Sequence, residues 1–336
     1  MALLDTTTDS SAAPDAGERF ARQLIAYFAS SRAGQAILDA LSDDDVTEVY
    51  LNPDGKVWTD TYSAGTVFTG LELEPARATM FLKAVATHHH VSITRENPSV
   101  AAELPLEHFN RARLQGEIPP LVEGPSFNLR KPPPRTFSLE EMGVTGGRLS
   151  VLREGIRNRW NIVVCGWMDS GKTTFARALL LEVARLCPRD RVLILEDTPE
   201  LRCDSLDVVN LRKPDHWDLT ALCTIALRKK AKRICVSEVR DREALPLLDL
   251  WTTHRGGIAT THADTVENCM DRLDRLAMRN GVPSDPVLVA QAVQLVVLME
   301  GDNAGRRVGD LVRVVRSDDK ARPYLLRSYG EDGVLR

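Results

Sequence analysis

The sequence predicts an α/β protein in two parts, a smaller N-terminal α+β domain and a C-terminal domain on a mostly parallel sheet. Three observations carry this. Short apolar runs at 161–165, 191–196, 233–237, 257–261 and 293–299 alternate with segments of helical spacing. The first run opens into "GWMDSGKTTF", residues 166–175, a phosphate-binding pattern that requires a strand before it and a helix after it. Ahead of both stands "KPPP", whose three prolines neither a helix nor a central strand can contain.

Taken in order, residues 1–17 are rich in Ser, Thr, Ala and Asp and read as a disordered tail. They lack a basic region followed by an apolar core, so they do not read as a signal peptide. From Glu18 to Leu41 apolar residues recur at helical spacing: Phe20, Leu24, Tyr27, Phe28, Ile37, Leu38, Leu41. "VTEVYLNPDGKVWTD" alternates on both sides of Asn52–Gly55, which signals a hairpin. A further helix is expected over about Pro75 to His89. The N-terminal domain is therefore placed at 18–130, a proline-rich linker at 131–136 and the C-terminal domain at 137–336. In the latter, a buried strand ends at Gly166 and a helix runs from about Gly171 to Leu186.

Composition narrows the function. At 336 residues the chain suits two domains. A formal net charge of −4 argues against a surface built for nucleic acid, and direct nucleic-acid binding is not expected. The 6 cysteines (Cys165, Cys187, Cys203, Cys223, Cys235 and Cys269) form no C-x-x-C pair, which fits a reducing cytoplasm and no zinc module. No apolar run approaches the length of a bilayer span.

The loop explains itself physically. Helix-start amides point at one spot with the positive end of the helix dipole behind them. Gly166, Ser170, Gly171 and Thr174 shape and line this cradle. Lys172 brings a mobile positive charge to the outer phosphates, and the Thr173 hydroxyl is a donor to Mg²⁺. Asp169, an anion in an anion-binding loop, occupies an unconstrained position and is expected to face water while weakening the local attraction for phosphate. Beyond the loop, "RVLILEDTPEL" puts Glu196 and Asp197 at the carboxyl end of a strand, where open α/β sheets bind ligands. "KRICVSEVRD" does the same for Glu238, and "THRGGIATTHAD" holds His254 and His262. Two acids can hold Mg²⁺ waters or take a proton from water, and a histidine can sense a terminal phosphate. Each also has a plainer reading, as a helix cap or a packed histidine. Their common place on one sheet edge after a phosphate loop favours chemistry.

The order "GWMDSGKTT", "LILEDTPEL", "LRKKAKRICVSEVR", "GGIATTHA" resembles the secretion ATPases of type IV and type II systems and pilus motors. "VTEVYLNPDGKVW", "ELPLEHFNRARLQGEIPP" and "FNLRKPPPRTFSLEE" look most like the conjugal-transfer, TrbB-type branch; the likeness runs from about Arg19 to Val315. The resemblance implies a RecA-like ATPase domain, an N-terminal domain folded over ATP and Mg²⁺, and a homo-hexameric ring. It also implies partners among the inner-membrane components of a conjugation apparatus, with the chain cytoplasmic and peripheral at that membrane. Carried over, Lys172 and Thr173 bind phosphate and Mg²⁺. Glu196 and Asp197 become the Asp-box acids, Glu238 the Walker B acid and His262 the His-box histidine. Arg113 and Arg130 match arginines that reach the nucleotide from the N-terminal domain, and Arg228 and Arg240 those flanking Walker B.

There are departures. Met168 and Asp169 stand where the family usually has Thr and Gly, Ser237 stands where Gly precedes the Walker B acid, and Thr253 and Arg255 flank His254. None removes a group the reaction needs. No acceptor pocket with a lid suggests a kinase, and no N-K-x-D element suggests a GTPase switch. A nucleotide-regulated scaffold without turnover and a type II secretion or pilus motor are the alternatives to a conjugative motor.

Overall fold

The computed structural model describes residues 16–132, 135–214, 217–301, 305–317, 319 and 323–336. The chain divides into two compact units between Pro134 and Arg135. Most of the expected N-terminal tail, and two of the linker prolines, lie outside the described residues, whereas residues 16 and 17 already belong to the first helix.

The first unit runs α1 (Ala16–Ala29), α2 (Arg32–Ser42), β1 (Val46–Leu51), β2 (Lys56–Thr61), β3 (Gly65–Glu72), α3 (Pro75–His88), β4 (Ser99–Glu103), β5 (Arg113–Glu117) and β6 (Ser126–Arg130). Its strands form one antiparallel sheet in the order β3-β2-β1-β6-β5-β4. The helical spacing from Glu18 to Leu41 resolves into two helices. Ser31 caps α2 by accepting the Gly34 amide at 3.0 Å. Gly34 approaches the end of α1 so closely that a Cβ there would stand 2.1 Å from the Phe28 carbonyl oxygen. The periodicity carries through the break because both helices face one core, where Leu24, Phe28, Ile37 and Leu41 pack with Phe81 and Phe127. The Asn52–Gly55 turn joins β1 to β2, with Gly55 at φ 86°, a left-handed conformation open to glycine.

The second unit runs α4 (Gly146–Arg157), β7 (Ile162–Gly166), α5 (Lys172–Leu186), β8 (Arg191–Glu196), β9 (Asp207–Arg212), α6 (Leu219–Ala226), β10 (Arg233–Val236) and α7 (Ala244–Thr253). It continues through β11 (Ile258–His262), α8 (Val266–Met278), α9 (Pro286–Ala292), β12 (Leu295–Glu300), β13 (Arg307–Arg316) and β14 (Tyr324–Ser328). The sheet order is β14-β13-β12-β7-β11-β10-β8-β9. From β12 to β9 neighbours are parallel, and β13 and β14 add an antiparallel edge.

Both faces of the sheet are covered, which is why its central strands read as continuous apolar runs. Along β7, Ile162 and Val164 pack into a core with α4 and α5, whereas Val163 and Cys165 face a second core with α6, α7, α8 and α9. Strands β9, β13 and β14 gave no such run, because each leaves part of its length to solvent and carries polar residues there. The parallel strands end together, so Gly166, Glu196, Val236 and His262 mark one edge.

Candidate active site

Sheet register builds the site. Gly166 ends β7 directly between His262 of β11 and Met299 of β12. It must be glycine: at φ 155°, a Cβ would stand 2.4 Å from the Met299 carbonyl oxygen and 2.5 Å from Ser170 Oγ. Ser170 is buried and its hydroxyl donates to the Trp167 carbonyl at 2.9 Å, closing the loop on itself. Gly171 precedes α5 at φ 90°, and no side-chain hydrogen bond caps that helix. The amides of Lys172, Thr173 and Thr174 thus open the helix without partners inside it, and its first turn holds no acid. Lys172 is buried, and its ammonium group donates to the Trp167 carbonyl.

Asp169 has a structural explanation. It stands at φ 57°, left-handed, at the position where the family usually has glycine. Asp is among the few side-chain-bearing residues that enter this region readily. Its residue is exposed, and its carbonyl accepts a 2.9 Å hydrogen bond from Arg306 Nε.

The acids divide into two groups. Glu196 is 3 % exposed, and one of its oxygens accepts the amides of Glu200 at 2.8 Å and Leu201 at 2.6 Å. Burial pushes its carboxyl up, more than those amides pull it down. This is the geometry of a loop cap, and it fixes the next turn so that Glu200 accepts the Thr173 hydroxyl at 3.3 Å. Asp197 instead turns to Lys213, 3.2 Å away, and is half exposed. The acid beside Thr173 is therefore Glu200, which the sequence reading did not single out although it lies in the same acidic loop.

Glu238 follows β10 and is held from two sides. Thr260 Oγ1 donates to the Ser237 carbonyl at 2.6 Å, and Thr261 Oγ1 to the Val239 carbonyl at 3.0 Å. Its carboxylate pairs with Arg240 through Oε2, while His262 Nε2 stands 3.0 Å from Oε1. Oε1 is buried, and no hydrogen bond to it is made among the described residues. Burial raises the Glu238 carboxyl, but Arg240, His262 and Lys172 outweigh it and hold it below the usual range. Burial, then the charge of Lys172, push His262 below its usual value against the pull of Glu238. Lys172, Glu238, Arg240 and His262 thus form one electrostatic cluster. A cavity of about 440 Å³ opens beside it, lined in part by Gly166, Trp167, His262, Asp264, Arg272 and Arg275.

Other expected residues stand elsewhere. Arg228 is exposed in the turn after α6. His254 caps the C-terminal end of α7, with Thr253 Oγ1 at 3.0 Å from its Nδ1. It precedes β11, whereas His262 ends it, so the two histidines occupy opposite edges of the sheet. In the first unit, Arg113 and Arg130 are direct partners across β5 and β6, flanked by Glu103 on β4 and Glu48 on β1. Directly opposed side chains share a face, so the two arginines form a pair in a row closed by acids.

Hard oxygen donors for a divalent cation are present: the Thr173 hydroxyl beside the Glu200 carboxylate suits Mg²⁺, which is usually held by one or two carboxylates together with phosphate oxygens. Among the described residues no group of three or more His, Cys, Asp and Glu forms a metal cage, and no helix is long and apolar enough to cross a membrane.

The chain is similar to known proteins in sequence and in fold. Residues 77–321 fit the family model described as Type II/IV secretion system protein. The conjugal transfer protein TrbB of Rhizobium radiobacter is 35% identical over 286 residues, covering 84% of this chain and 87% of that protein. Among solved structures, the pilus retraction motor PilT with bound ADP superposes with a TM-score of 0.63 at 16% identity, over 88% of this chain and 81% of its own. The ATPase DotB of Legionella pneumophila gives 0.60 at 17%, over 89% and 80%. These two likenesses establish the fold, and the family match and the TrbB relative establish the kinship. The chain belongs to the type II/IV secretion system protein family, in its TrbB-type conjugal-transfer branch.

Proposed function

We propose that the chain is a Mg²⁺-dependent ATPase that powers transfer by a conjugative type IV secretion apparatus. It works as a homo-hexamer in the cytoplasm, peripheral at the inner membrane and docked on membrane components of that apparatus. The observation that carries the reading is the Glu238 carboxylate, held ionised by Arg240 and set in one cluster with the loop lysine and His262. An ionised carboxylate beside the phosphate-loop lysine is what a water-polarising base requires.

Each residue then has a task. The α5 amides and Lys172 receive the outer phosphates, Lys172 exchanging the Trp167 carbonyl for a phosphate oxygen. Glu238 orients and polarises the attacking water, and Arg240 keeps it ionised. His262, neutral at pH 7, hydrogen-bonds the terminal phosphate. Glu196 holds the turn that brings Glu200 to Thr173, where the two oxygens would hold Mg²⁺. When bound, Mg²⁺ offsets charge on the outer phosphates. Arg113 and Arg130 close on the nucleotide from the N-terminal domain and take up its phosphate oxygens. The ATP-driven closure is the motion passed on to the membrane apparatus.

The test is phosphate release by the full chain with Mg²⁺ and ATP. Lys172→Ala abolishes it, and Glu238→Gln lowers it about 100-fold or more while ATP binding persists. Turnover unchanged in both variants rules out this site.

A further inference from the structure

One side chain reaches the loop from a distant part of the sequence. Register places Met299 beside Gly166, and β12 ends one residue later. Gly301 then turns at φ 87°, so tightly that a Cβ there would stand 2.1 Å from the Gly305 carbonyl oxygen. β13 begins at Arg307, paired with Glu300. Arg306 is therefore pinned at the root of the β12–β13 hairpin, against the phosphate loop. Its Nε donates to the Asp169 carbonyl at 2.9 Å. Its Cδ lies 3.1 Å from where a Cβ on Gly171 would be, so the side chain lies across the loop in space that only glycine leaves.

We propose that Arg306 is a positioning residue for the phosphate loop. It fixes the carbonyl of Asp169 and so holds an L residue in the left-handed conformation that the loop needs. The departure from glycine at position 169 and the arginine at 306 are two halves of one device: Asp169 enters the left-handed region at a cost, and the hairpin supplies the tie that keeps it there. The hairpin root thereby becomes a mechanical support of the nucleotide site, able to loosen or firm the loop from the antiparallel edge of the sheet. This deepens the ATPase reading and rests on it for the identity of the ligand.

The experiment uses the full chain in four forms: wild type, Arg306→Ala, Asp169→Gly and the double variant. Two readouts are taken: affinity for a fluorescent ADP with Mg²⁺, and ligand-free hydrogen exchange of the peptide covering residues 166–172. Arg306→Ala is expected to weaken affinity about fivefold, the ratio that the low end of the left-handed penalty corresponds to, since Asp enters that region more readily than most side chains. It also speeds exchange in that peptide, with the melting temperature nearly unchanged. In the Asp169→Gly background the same substitution changes affinity by no more than about twofold and leaves exchange alone, because glycine needs no tie. An equal loss in both backgrounds overturns the proposal, since Arg306 would then act by another route. Unchanged exchange in Arg306→Ala also overturns it. If the wild type binds no nucleotide, the ATPase reading fails, and the exchange data still decide the role of Arg306.

Discussion

On the proposed reading, Glu200 and Glu196 share the tasks for which the sequence reading named Glu196 and Asp197. The buried Glu196 oxygen receives two amides, and this cap presents Glu200 to Thr173. Glu200→Gln is expected to raise the Mg²⁺ concentration needed for half-maximal phosphate release about tenfold, whereas Asp197→Asn is expected to leave it nearly unchanged; a metal titration of both variants checks this. His262 gives a pH dependence. Its folded pKa lies below the usual 6.5, so folding disfavours its protonated form. The stability it contributes is present above pH 6.5 and is lost as pH falls through the folded pKa. Wild type should therefore lose melting temperature relative to His262→Gln as pH drops from about 7 to 5. A constant difference across that range contradicts the environment described for this ring.

At the scale of elements, the phosphate loop is held by three strands at once. Gly166 touches the Met299 backbone, and its neighbours carry His262 on one side and the hairpin root on the other. Gly166→Ala should cost roughly 2–4 kcal/mol of stability, since a Cβ meets backbone that cannot give way. Urea unfolding measures it, and a cost below about 0.5 kcal/mol would mean the loop and β12 are not packed as described. Much of this region was legible in the sequence. Central strands buried on both faces must be apolar throughout, and the Gly-Lys-Thr turn needs its strand and helix. What local pattern could not give is telling. The edge strands β9 and β14, and β13 beside the latter, carry charges at exposed positions, so they show no run. Arg306 lies 137 residues from Asp169 and no spacing rule links them. The first two helices looked continuous because both present apolar residues to the same core, and only the Ser31 cap with Gly34 separates them.

For the whole molecule, the proposed function calls on arginines of the first unit as well as on the phosphate loop of the second. Arg113 and Arg130 share a face of their own sheet, between Glu103 and Glu48. Replacing both with alanine should slow phosphate release about 1,000-fold or more, the scale on which arginines act in other nucleotide hydrolases. The melting temperature should hold, because both lie outside the buried core. Ring formation is the claim on which the motor depends, and one measurement meets it directly. Phosphate release per chain is followed across protein concentration with Mg²⁺ and ATP, while light scattering gives the mass at each point. Specific activity is expected to rise with concentration and to level off where the mass reaches that of six chains. A specific activity that stays constant while the mass remains that of one chain contradicts the account.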